Sequence, residues 1–166
     1  MRQLLLKRLK NQKGLTLIEL LAVIVILGII AAIAVPSIAG IIDNSKKDAH
    51  VANAQQMINA TKLVIVAEPD LRNMTEKDDP IYVPLGYLID EGYIDAFSDP
   101  DGGEYDGIDK KVIYQGTTEA SINALESYVK VVREDNTFIY SVFLTNGDRG
   151  VDPMVEEKDL KRSAVN

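Results

Sequence analysis

The chain has 166 residues, of which 46% are hydrophobic, so it has room for about one domain and is too apolar for a largely disordered protein. It holds no cysteine, which excludes a disulfide framework, a thiolate metal site and a cysteine nucleophile. The net charge of −7 is unevenly placed: Arg2, Lys7, Arg8, Lys10 and Lys13 precede Leu15 with no acid among them, leaving 13 Lys and Arg against 25 Asp and Glu, a net −12, in the rest. An acidic body repels phosphate at long range, so no direct nucleic-acid partner is expected.

In chain order, residues 1–14 form a basic leader ending in Lys13 and Gly14. An apolar stretch follows from Leu15 to Ile42, with sixteen consecutive residues from Leu20 to Val35 free of any polar side chain. As a helix it would rise about 42 Å, more than the roughly 30 Å of a bilayer's hydrocarbon core. The alternative, a helix buried inside a soluble protein, needs far more surrounding chain than remains. Basic residues before the span and acidic ones after it predict a single pass through the cytoplasmic membrane, with the N-terminus cytoplasmic and the bulk outside. Glu19 stands alone in the first turn of this stretch, where an ionised carboxylate is costly without a partner. Pro36 removes a backbone donor and is expected to bend or loosen the helix, with Gly28 and Gly40 adding freedom.

An ordinary secretory signal places its apolar region before the cleavage site, whereas here the charged leader meets the apolar run directly at Gly14 and Leu15. This arrangement, Lys13-Gly14 followed by Leu15-Thr16-Leu17-Ile18-Glu19, closely resembles the prepilin-type motif of type IV pilins and pseudopilins. In that family a basic leader ends in glycine, the first mature residue is apolar and the fifth is glutamate. Leu15 stands where phenylalanine is common, and Pro36 falls where many members carry a helix-bending proline. The resemblance implies cleavage between Gly14 and Leu15 by a prepilin peptidase, N-methylation of Leu15, and pairing of Glu19 with a neighbouring subunit's N-terminus during assembly. It also implies storage in the lipid bilayer, a membrane assembly platform as partner, and polymerisation with other copies of the chain into a cell-surface filament. The lack of the paired C-terminal cysteines seen in many Gram-negative pilins leans towards the Gram-positive type.

From Asp43 to Glu68 the pattern becomes an amphipathic helix, continuous with the span and stopped by Glu68-Pro69. Pro69 to Pro80 reads as an exposed loop, and Pro84 opens a short helix through Ile89. Strands are predicted at Val112–Gln115, Tyr128–Arg133 and Thr137–Thr145, with a turn at Glu134 to Asn136 and a short edge strand after the Asn146–Gly150 turn. Thr117–Glu126 is ambiguous between helix and strand, and the polar tail 156–166 reads as a terminal helix or disorder. The expected fold is α+β: a long N-terminal helix, transmembrane then amphipathic, with its second half on a small C-terminal antiparallel sheet. The divisions are a leader at 1–14, a membrane and polymerisation segment at 15–42, and an extracytoplasmic head at 43–166.

Asp99, Asp101, Glu104 and Asp106 concentrate oxygen ligands in one Gly-rich loop, the chemistry calcium requires, although the EF-hand register does not fit. A solvated turn is the simpler reading, and no other cofactor is expected. His50, the only histidine, is read as exposed on the long helix. Catalysis is not expected, because no nucleophile stands beside a base and no metal pair or phosphate loop is present in the sequence. The reading is therefore a structural subunit of a type IV pilus-like filament. Two rivals stay open: a pseudopilin of a type II secretion or competence DNA-uptake system, and a single-pass anchored binding domain that never polymerises.

Overall fold

A computed structural model describes residues 16–74, 79–116, 122 and 126–166. These divide into two compact units, one ending at Ile42 and one running from Asp43 to Asn166. Helix α1, Leu17–Ala67, passes through both and is continuous at Pro36. It stops where the sequence predicts, because Pro69 has no N–H and crowds the residue before it.

In the first unit almost every side chain of α1 is exposed, the large apolar ones by half to nearly nine-tenths of their surface. This stretch is long and apolar enough to cross a membrane, and none of its apolar window is buried by the protein.

In the second unit α1 becomes a core element. Ala54, Met57, Ile58, Thr61, Val64 and Ile65 recur at helical spacing and are all buried. They face a five-stranded antiparallel sheet of β1 Ile81–Pro84, β2 Tyr114–Gln115, β3 Tyr128–Glu134, β4 Thr137–Thr145 and β5 Gly150–Glu156, in the order β2-β1-β3-β4-β5. Alternation along the strands puts Val129 and Val131 of β3, and Tyr140, Val142 and Leu144 of β4, into the core. Removing each such side chain from water contributes about 1.5–3 kcal/mol. Asp135 and Asn136, with φ of 46° and 71°, turn β3 into β4, the pair of left-handed residues that a two-residue hairpin requires.

Four predictions need correction. Pro69 ends α1 but also begins a short helix α2, Pro69–Met74, since proline is well suited to a helix's first position; residues 75–78 of the expected loop lie outside the described residues. The interior strand β1 was not predicted, because Ile81 to Val83 sit between Pro80 and Pro84 and its four residues are too few to show a period. The strand expected at Val112–Gln115 shrinks to Tyr114–Gln115, and nearly all of Thr117–Glu126 lies outside the described residues. The tail is ordered: two 3₁₀ turns, Glu157–Asp159 and Arg162–Ala164, lead to Val165, which is buried and bridged to Val151. The short helix α3, Leu85–Asp90, lies within a residue of the predicted position and buries Leu85 and Leu88.

Candidate functional site

At its start α1 carries a reciprocal cap. The Thr16 N–H donates to Glu19 Oε2 at 2.8 Å and its hydroxyl does so at 2.9 Å. In return the Glu19 N–H donates to Thr16 Oγ1 at 3.3 Å. This capping box satisfies two helix-terminal donors and gives the carboxylate partners within its own chain. The sequence reading missed Thr16, although the Thr-x-x-Glu spacing carries the signal. Gly14 and Leu15, the expected cleavage site, lie outside the described residues. Pro36, expected to loosen the helix and named as an assembly candidate, lies within the exposed apolar part of α1.

The second constellation lies in the unit from Asp43 onward. His50 is fully buried, which corrects its reading as an exposed helix residue. It falls on the same face of α1 as Ala54, Met57 and Ile58, and both of its ring nitrogens have partners. Nε2 lies 2.9 Å from Asp101 Oδ2 and 3.7 Å from Asp99 Oδ1. Nδ1 lies 2.7 Å from the Tyr105 hydroxyl, which also accepts from Asn53 Nδ2 at 3.1 Å. Asp101 can only accept, so this contact places a proton on Nε2, and the Tyr105 hydroxyl, able to donate or to accept, completes Nδ1. A buried imidazole with both nitrogens satisfied carries little of the penalty of an orphaned polar group.

The carboxylates are held from outside as well. Asp101 Oδ1 accepts from Lys46 Nζ at 3.1 Å and from Arg149 Nη1 at 3.2 Å, while Arg149 also pairs with Asp43. Asp99 Oδ1 accepts the Asp101 N–H at 2.7 Å, and Oδ2 accepts from Asn146 Nδ2. The His50 bond, with Lys46 and Arg149 behind it, holds the Asp101 carboxyl down at about 2. Burial pushes the Tyr105 phenol up.

Of the four acids expected as calcium ligands, the structure brings Asp99 and Asp101 together, with His50 between them and the core. Glu104 is exposed, and Asp106 lies beside Gly147, where a Cβ would stand 3.3 Å from its Oδ2. The imidazole was missed as a neighbour because more than forty residues separate it from the loop. The only local hint was that the apolar spacing of α1 extends back to His50.

The apolar helix with a capped acid at its start, unburied by protein, is long and apolar enough to cross a membrane and continues into an α+β unit. The prokaryotic N-terminal methylation motif matches residues 9–35, a stretch that takes in Gly14, Leu15 and Glu19. That motif is the signature of type IV pilins and pseudopilins, which the chain resembles over this segment. No curated protein and no solved structure matches it. The motif points to a structural protein rather than an enzyme.

Proposed function

We propose that the chain is the structural subunit of a type IV pilus-like surface filament. In this reading a prepilin peptidase cuts between Gly14 and Leu15, and the subunit waits in the cytoplasmic membrane with its N-terminus inside. A membrane assembly platform then extracts it into a helical polymer of identical chains. The observation that carries the proposal is the exposed apolar surface of α1 from Leu17 to Ile42, joined to the methylation motif. Lipid covers such a surface in the stored subunit, and neighbouring copies of the same helix cover it in a filament core.

Glu19 supports the same reading. In the single chain its carboxylate is held by Thr16, so the acid tolerates the membrane edge before assembly. Transfer to a neighbour's free α-ammonium exchanges hydrogen bonds with neutral donors for an ion pair in a water-poor core. The test is to shear fibres from cells and sequence their main component by mass spectrometry. The expected result is this chain, starting at a methylated Leu15. Fibres lacking it, or a mature chain that retains Met1, would refute the proposal.

A further inference from the structure

We propose that His50 Nε2, Asp99 Oδ1 and Asp101 Oδ2 form a binding site for a zinc-class divalent transition ion, with a water completing the coordination. The inference concerns only the unit from Asp43 onward and does not rest on the filament reading. One donor atom from each residue lies within 4.8 Å of the other two. A tetrahedral ion with bonds of about 2.0–2.2 Å holds its ligand atoms about 3.3–3.6 Å apart. The His50 Nε2 separations of 2.9 Å and 3.7 Å bracket that spacing, so shifts of a few tenths of an ångström bring His50 to it from each carboxylate, and the two carboxylate oxygens, within 4.8 Å of each other, close by side-chain rotation.

Each ligand already has the outer partner that metal ligands characteristically have. The Tyr105 hydroxyl stands at His50 Nδ1, Asn146 holds Asp99 Oδ2, and Lys46 and Arg149 hold Asp101 Oδ1. Ion binding takes the Nε2 lone pair and leaves the ring's proton on Nδ1, where it donates to the Tyr105 hydroxyl; the proton displaced from Nε2 goes to Nδ1 or, where Nδ1 already carries one, to water. His50 and Asp99 have fully buried side chains, whereas Asp101 keeps 22% of its side chain exposed, which provides a route from solvent.

The donor set discriminates between ions. Calcium takes six to eight oxygen ligands and draws on summed negative charge. Here Lys46 and Arg149 offset the two aspartates, one donor is an imidazole nitrogen, and Glu104 stands exposed. A borderline ion that prefers nitrogen with a few carboxylate oxygens fits these residues better.

The chain's single histidine gives an unambiguous probe. Full-length chain in detergent micelles, labelled with ¹⁵N-histidine and stripped with chelator, is titrated with zinc chloride, and in parallel with calcium chloride. Zinc is expected to shift the His50 ring signals to completion at one equivalent, and one zinc per chain should survive desalting. Calcium should do neither. Asp99→Asn keeps the size of the side chain, gives up one of its two accepted hydrogen bonds together with its charge, and is expected to weaken zinc binding at least tenfold. Ring signals unmoved by zinc in the wild type, calcium retained in preference to zinc, or an Asp99→Asn chain that folds and binds zinc as tightly as the wild type would overturn the site. The first two outcomes need no variant.

Discussion

The two halves of α1 share one backbone geometry and have opposite surroundings. From Leu17 to Ile42 the helix is apolar on every side and exposed, while from Asp43 to Ala67 it carries an apolar stripe that is buried against the sheet. Helical period alone does not separate them, since both halves place large aliphatic residues three and four apart. What separates them is the polar face: Asp48, Gln56 and Asn59 are exposed opposite the buried stripe in the head half, and only Glu19 and Ser37 interrupt the first. A helix with no polar face has no side to turn to water. The first half therefore depends on partners from outside the chain, and the second on a sheet within it.

Substitutions of equal size in the two halves sharpen this contrast. Leu88→Ala empties a fully buried position of the head and is expected to cost about 2–5 kcal/mol of head stability. Ile30→Ala removes comparable bulk from an exposed position and should leave head melting unchanged while lowering fibre yield. Circular-dichroism melts of the full chain in micelles, with fibre yields from cells, check both. A head that melts early with Ile30→Ala would break the distinction.

Glycines offer a second, smaller comparison. A Cβ at Gly86 would sit 2.2 Å from the Ile108 carbonyl oxygen and 2.6 Å from that of Lys110, both backbone atoms that cannot swing aside. Gly86→Ala is expected to cost about 1–3 kcal/mol of head stability. A Cβ at Gly28 meets nothing within 4 Å, so Gly28→Ala should leave the head's melting point where it is.

The halves of α1 and most of the strands were legible in the sequence because each rests on local pattern: an uninterrupted apolar run, a Glu68-Pro69 stop, and Asp135-Asn136 between two alternating segments. What was not legible depends on distant partners. β1 has four residues and no visible period of its own, yet it occupies an interior position because β2 and β3 pair with either side of it. His50 looked exposed beside Lys46, Lys47 and Asp48. Its burial is decided by Asp101 and Tyr105, which only the tertiary fold brings near. The order in the tail likewise depends on Val151, to which Val165 pairs.

The smallest expected effect is pH-linked. The Asp101 carboxyl is held at about 2 against an ordinary 3.8, so its contribution is fully present above about pH 4 and is lost as pH falls through about 2. Solvent screening at this partly exposed group limits that contribution to about 1 kcal/mol. Metal-free Asp101→Asn chain should therefore be less stable than wild type near neutral pH, and the difference should shrink as pH falls from about 4 to about 2. Denaturant melts across that window measure it. A difference that stays constant down to about pH 2 would remove the carboxylate's charge from the account.

The claim that the first half of α1 is an assembly surface bears most heavily on Glu19, whose carboxylate has only Thr16 for a partner within the described residues of its own chain. Glu19→Leu, expressed as the only copy, keeps the apolar span, so cleaved subunit is expected to accumulate in the membrane. Without the acid, the neighbouring Leu15 ammonium enters the filament core unpaired, a severe penalty for a buried charge. Quantifying this chain in sheared surface fibres and in membranes from the same cells decides the matter. The account predicts normal membrane levels with fibre yield reduced at least tenfold, and fibres recovered at wild-type yield would contradict it.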